Sequence, residues 1–349
     1  MALTKVSTGV VDMSGNTGAL EIAKGTTATR PATPSLGTLR SNTTDHTMEV
    51  YTSTGWQALK EGGYVIIPLT VYYLVIAGGG GSGGASHYAG SSGGGGAGGY
   101  LTNMGGSSFD AGSGAITVTV GNGGNAGGFA GSGNQAISYK GDPGQNSVFS
   151  SIVATGGGFG GAGDDNASNS LGGPGGSGGG SGARQATNTT FGVATATPSQ
   201  GSNGGVSFGS FSGNPGRFGG GGGGSYSAGA NASASSSGNG GAATSNNITG
   251  SDVDYAKGGN AISATGAQSS NAAANTGDGA DGSKAPNTLQ DLTGANGGSG
   301  VVILRYPNSY QINFTVGASP AFSSSNATVG TDTVTTIMAG SGTITFSLV

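Results

Sequence analysis

Apolar residues are sparse along this chain, and they gather in short runs separated by long polar stretches. Ile312, Phe314 and Val316, and later Ile344, Phe346 and Leu348, alternate with polar residues, the period of two expected of half-buried strands. Ala339-Gly340-Ser341-Gly342 supplies a turn in front of the last of these. The most apolar run, Tyr64 to Ala77, is 14 residues long with Pro68 and Thr70 inside it. It falls short of the ~20 residues of a membrane-spanning helix and reads as strands. Two smaller islands, Ala115 to Val120 and Ser147 to Phe149, carry the same strand signature. Nowhere do apolar residues recur at three-and-four spacing over three turns, and Gly or Asn breaks most windows. The expected fold class is therefore all-β or irregular, with almost no α-helix.

Glycine sets the pattern between residues 78 and 300, which hold 68 of the 80 Gly but only 24 Leu, Ile, Val or Phe. Over all 349 residues those four apolar types number 57, below the roughly 20 % at which a conventional core becomes hard to build. Such a shortage usually means disorder, yet 11 basic and 15 acidic residues with a net charge of −4 do not give the charged composition of a disordered chain. The positions of the glycines resolve the conflict. Gly78, Gly81 and Gly84 recur every third residue, as do Gly93, Gly96 and Gly99, Gly121, Gly124 and Gly127, Gly157, Gly160 and Gly163, and Gly294, Gly297 and Gly300. Three residues per turn at about 3.1 Å rise is the repeat of the left-handed extended helix. Collagen is excluded, because the runs last three or four triplets and the zone has five Pro. What remains is a bundle of short polyglycine-II helices held by backbone contacts. A flexible Gly/Ser linker would have no use for the apolar islands. Between Asn260 and Asn296 glycine thins to scattered positions such as Gly277, Gly279 and Gly282, so no triplet register is readable there.

Candidate chemistry is scarce. With no Cys there is no disulfide framework and no thiolate metal site. The N-terminus MALTKVSTGVV lacks the apolar stretch of a secretory signal. No basic stripe exists to neutralise phosphates, so nucleic-acid binding is not expected, and no Lys follows a Gly, which removes the phosphate-binding loop. The two His, His46 and His87, have no partner for zinc. Asp164/Asp165, Asp252/Asp254 and Asp278/Asp281 are the close carboxylate pairs; all lie among small polar residues with no apolar pocket to raise one pKa. Solvated turns are the default for them, with a calcium ion at Asp278 and Asp281 as the alternative. No catalysis, cofactor or metal is expected. The aromatic islands are more informative. His87, Tyr88, Phe109, Tyr139, Phe191, Phe208, Phe211, Phe218 and Tyr226 interrupt or flank the Gly runs. A glycine bundle has little room for rings, so these residues are expected at loop tips, either as binding loops rich in Tyr, Ser, Gly and Asn or as an apolar plug.

Two stretches resemble known families. Gly18-Ala19-Leu20, Gly25 to Pro31, Gly37 to Thr43, Met48 to Tyr51 and Gly55 to Leu59 are similar to the short β-module of tailed-bacteriophage fibre and tail-associated proteins. Tyr73 to Gly81, Gly93 to Tyr100, Ile116 to Gly121, Ala154 to Gly158 and the closing Gly297 to Pro307 resemble the glycine-rich adhesin domain of phage fibres. The resemblance implies a virion fibre or tail-tip protein without enzymatic activity. Residues 1–61 would form an attachment or oligomerisation module joined to other tail or capsid proteins, residues 62–307 a polyglycine-II adhesin domain, and residues 308–349 a C-terminal β-element. It further implies a homotrimer, located in the virion, whose loops bind a host cell-surface glycan or outer-membrane protein without membrane insertion. The alternative is a structural capsid or tail decoration protein that binds no receptor.

Overall fold

The computed structural model describes residues 22–59, 69–86, 90–112, 114–131, 137–164, 166, 168–183, 190–194, 199–209, 216–286, 290–315, 317 and 319–349. The chain divides into two compact units, Met1–Pro68 and Leu69–Val349. The fold is all-β: its described helical content is one 3-10 turn, Thr27–Thr29.

In the first unit, β1 (Lys24–Gly25), β2 (Leu39–Asn42), β3 (Thr47–Thr52) and β4 (Gly55–Leu59) form one sheet in that order. Its interior is polar. Glu49 and Arg40 are buried on facing strands, and Arg30 closes on Glu49 from the chain before them.

The second unit begins as a sandwich. One sheet contains β5 (Thr70–Ile76), β6 (Tyr100–Thr102), β7 (Phe109–Asp110), β15 (Val301–Pro307), β17 (Ser323–Val329) and β18 (Asp332–Ala339). The other contains β8 (Ile116–Thr119), β11 (Ser147–Phe149), β12 (Ile152–Ala154), β16 (Tyr310–Phe314) and β19 (Ser341–Leu348). Two hairpins stand outside both sheets, β9 (Phe129–Ala130) with β10 (Ile137–Ser138), and β13 (Thr244–Asn246) with β14 (Val253–Tyr255). The strand period of two explains the layering. Val71, Val75, Val302 and Leu304 face Ile116, Val118, Phe149 and Ile344 between the sheets. Leu74, Ile76, Val301 and Ile303, on the opposite face, pack on Ile248, Tyr255 and Ala256 around the second hairpin. Residues 308–349 supply β16 to β19, and these strands join both sheets of the sandwich. The expected turn at Ala339-Gly340-Ser341-Gly342 is where the chain leaves one sheet for the other, with Gly340 at φ +115°.

The strands of this sandwich run on as polyglycine-II segments. β5 continues into 77–86, β8 into 120–128 and β12 into 155–163, while 90–99, 139–146 and 292–300 lead back into β6, β11 and β15. The segment 90–99 shows how they are held. Its amides follow the three-residue period: Ser92, Gly95 and Gly98 donate to Ser283, Ala280 and Gly277; Gly93, Gly96 and Gly99 to Gly161, Gly158 and Thr155; Gly94 and Ala97 to Gly220 and Gly223. Its carbonyls accept from Ala183, Gly180 and Ser177, from Gly80 and Ala77, and from Gly259. Six different segments therefore surround one. Three residues per turn send N–H and C=O groups out at 120° intervals, and two interleaved sets of three give hexagonal packing. Segment 77–86 has the same environment: Gly78, Gly81 and Gly84 donate to Gln145, Asp142 and Tyr139, and Gly79, Ser82 and Ala85 to Gly298, Ala295 and Leu292.

Glycine is required by proximity. A Cβ on Gly95 would fall on the carbonyl oxygen of Gly80, and one on Gly222 would fall on that of Gly95. The register continues through 277–286, where glycine thins. There Ala280 and Ser283 are fully buried and keep the triplet bonding to Gly95 and Ser92.

Candidate functional site at the far end of the bundle

The segments alternate in direction, so their connections fall at two ends. At the sandwich end the chain enters at Leu69, next to β5, and finishes with the Val349 amide on the Ser309 carbonyl at 3.0 Å. The far end carries the connections that follow 77–86, 120–128, 155–163, 177–183, 199–208, 256–262 and 277–286.

The sequence-predicted aromatic residues divide between these places. Tyr139 stands at the far end immediately after β10, with 46 % of its surface exposed. Beside it, the β9/β10 hairpin exposes Phe129 and Ile137, which sequence reasoning missed: each is a lone apolar residue beside Gly or Ala, with no period to mark it. Phe208 and Phe218 meet at the far end through reciprocal backbone hydrogen bonds of 2.8 and 2.9 Å. Phe218 is only 5 % exposed, and its ring takes the Lys284 Nζ at 3.7 Å from the centroid. Lys284 is itself 4 % exposed, and burial pulls its pKa down to about 8. Phe218 is thus packed into the end of the bundle against a buried cation, and Phe208 beside it is half-buried. Phe191 is half-buried on the short segment 190–194, where Gly192 bonds to Gly179, away from either end.

Two candidates lie elsewhere. Phe109 belongs to β7, and its ring packs on Phe149 at 4.9 Å and Tyr73 at 6.4 Å, against the sandwich core. It is no loop tip, because pairing of β7 with β5 draws the ring under the sheet. Tyr226 is 76 % exposed, but its turn is at the sandwich end, with its amide on the Ala242 carbonyl just before β13. His87, Tyr88 and Phe211 lie outside the described residues.

The carboxylates have structural partners. Asp278 Oδ1 accepts the Lys257 amide at 2.8 Å, and Asp281 Oδ1 accepts the Asn260 amide at 2.7 Å. Asn260 Oδ1 in turn accepts the Gly240 amide at 2.9 Å. The same device recurs around the bundle: Asn296 accepts from Ala126, Asn271 from Asn296, and Asn231 from Val206, each at 2.8 to 2.9 Å. At the rim a segment lacks its sixth neighbour, and a side-chain oxygen from the adjacent segment replaces the missing carbonyl. Burial raises the Asp278 pKa against the pull of the Lys257 and Thr276 hydrogen bonds. Asp164 accepts from Ser138 at 3.1 Å and Asn166 at 2.9 Å, and Asp252 and Asp254 are exposed. Asp165 lies outside the described residues. Among the described residues no three His, Cys, Asp or Glu cluster for a metal, and no helix is long and apolar enough to cross a membrane.

Residues 61–307 match the profile of a glycine-rich domain. No curated protein and no solved structure matches the chain.

Proposed function

We propose that this chain, which belongs to the glycine-rich domain family, is a phage fibre or tail-tip protein that binds the host cell surface through the far end of its bundle. The observation that carries this reading is the separation of ends. The second unit begins at Leu69 beside the sandwich, while Phe129, Ile137 and Tyr139 stand exposed together at the opposite end. A scaffold locked by backbone bonds loses little entropy when its loops engage a partner. Exposed aromatic rings amid Gly, Ser and Asn suit a glycan face or a pocket on an outer-membrane protein. Binding of this kind is reversible and involves no covalent chemistry.

The test is adsorption of the purified, fluorescently labelled chain to a panel of bacterial cells and their isolated surface glycans. The reading expects saturable binding to particular strains, reduced at least tenfold by combined Phe129→Ser and Tyr139→Ala changes that leave the melting temperature unaltered. Absence of binding across the panel, with binding instead to purified virion proteins, would favour a decoration role and overturn it.

A further inference from the structure

One strand of the sandwich presents a backbone edge that no other described segment of the chain covers. Among the described residues β17 is the terminal strand of its sheet, paired with β18 on one side only. Its residues Ser323 to Thr328 are all exposed; Val329, at its end, is half-buried and packs on the second core cluster beside Gly250. Pairing with β18 holds Ser323 to Thr328, helped by the Thr335 hydroxyl donating to Asn326 Oδ1 at 2.8 Å. Six residues are thereby ordered mainly by one row of backbone hydrogen bonds, against an entropy cost that falls on every one of them.

The outer edge also lacks the features by which sheet proteins protect such strands. Ser323–Val329 contains no Lys, no Pro and no charge. The ladder to β18 slips only between Ser323 and Ser324, which leaves Ser324 to Val329 regular. On a chain of net charge −4, this uncharged edge is one that a second copy can approach without like-charge repulsion. An antiparallel two-fold pairing keeps the nearest carboxylates apart as well. Asp332 pairs with Val329 at one end of β17, so each copy's Asp332 would lie beside the Ser323 end of the other.

We infer that β17 is a self-association seam, joining two copies of this chain edge to edge, antiparallel, into one continuous sheet. The contact closes on itself with two copies, in place of the three that the fibre resemblance implies. It joins the copies at the sandwich and leaves both bundle far ends free. The inference is independent of any receptor.

The experiment uses the full chain. Light scattering and sedimentation at micromolar to high-micromolar concentration should give about twice the 32.8 kDa chain mass. The double variant Ser325→Lys, Ala327→Lys should return it to the monomer mass with an unchanged melting temperature. Because the chain has no Cys, Ser325→Cys carries a unique spin label, and dipolar spectroscopy should find one short inter-copy distance, within roughly the width of a few strands at ~4.8 Å spacing. A monomer at all concentrations overturns the inference. So does an oligomer whose mass the double Lys variant leaves unchanged, or labels with no short inter-copy distance.

Discussion

The amide of Gly95 donates to the carbonyl of Ala280 at 2.8 Å, and the Ala280 amide passes the chain on to the carbonyl of Gly80 at 3.0 Å. Gly80 in turn donates to Gly96, one residue from the start. Two consecutive segments and one far along the chain thus form a closed ring of backbone hydrogen bonds with no side chain between Gly95 and Gly80. The bundle derives its rigidity from rings of this kind.

The first prediction follows from that proximity. Gly95→Val places side-chain atoms on the Gly80 carbonyl and should cost more than about 3 kcal/mol, beyond the usual range for overpacking, because backbone rather than side chain must yield. Gly128→Ala meets nothing within 4 Å and should be neutral or stabilising by up to about 1 kcal/mol. Denaturant titration of the two variants measures the contrast.

The rim device gives a second. Asn260→Ala removes the acceptor of the Gly240 amide and should destabilise by roughly 1–3 kcal/mol, the cost of an unmet donor. Asn260→Asp keeps the side-chain volume but replaces the Nδ2 donor to Asp281 Oδ1, at 3.1 Å, with a second carboxylate, and should lose at least as much at neutral pH. Thermal melts of both variants beside the parent separate a hydrogen-bonding role from a packing one.

Lys284 makes stability depend on pH in an unusual direction. Its pKa is about 8 in the folded chain and near 10.4 when unfolded, so between those values the unfolded state binds more protons and stability rises with pH. The expected rise in melting temperature runs from about pH 8 to pH 9.5. Above that, the buried phenols of Tyr73, Tyr100, Tyr255, Tyr306 and Tyr310, whose pKa values burial raises, reverse the trend. Lys284→Met should abolish the rise and raise the melting temperature at pH 7. An unchanged pH profile in that variant would remove Lys284 from the account.

The first unit should respond to acid. Glu49 is held below the usual carboxylate range by hydrogen bonds from Arg30 and Asn42 and by the charges of Arg30 and Arg40, against the opposing effect of burial. A carboxylate with a lowered folded pKa stabilises above its unfolded value, near 4.3, and that contribution is lost as pH falls through the folded pKa. Trp56, the single tryptophan, lies under Arg40 at 5.7 Å and reports on this unit alone. Its fluorescence should show unfolding below about pH 4, and Glu49→Gln should destabilise the unit by about 3 kcal/mol, because the buried Arg40 guanidinium loses its counter-charge while Arg30, partly exposed, stays solvated.

Much of this fold was legible. The triplet glycines marked the polyglycine-II segments, and the apolar runs and alternations marked β5, β8, β11, β16 and β19, because a period of three and a period of two each leave a trace in one dimension. The partnership of segments was not legible. Gly95 meets Ala280 through a lattice in which every glycine resembles every other, and nothing local distinguishes the right neighbour. The rim carboxylates were read as solvated turns because an Asp that accepts a neighbouring segment's amide looks, in sequence, like an Asp in a loop. Among the aromatics, Phe109 was placed with the loops because nothing in the glycine spacing shows its pairing with β5, and the exposed turn expected at Tyr226 is present but at the sandwich end, which spacing alone does not distinguish from the other. The residues of the far end that the sequence does not flag, Phe129 and Ile137, owe their exposure to a hairpin two residues deep on each side.

Amide hydrogen exchange tests the central claim, that the glycine-rich zone is a lattice held by backbone hydrogen bonds, most directly. The amides of Gly80, Gly95, Gly96, Gly158 and Gly222 should exchange only through global unfolding of the second unit, as slowly as those of Val75 and Val302 in the sandwich. Exchange of those glycines at the rate of an unstructured chain, with the sandwich still protected, would contradict it.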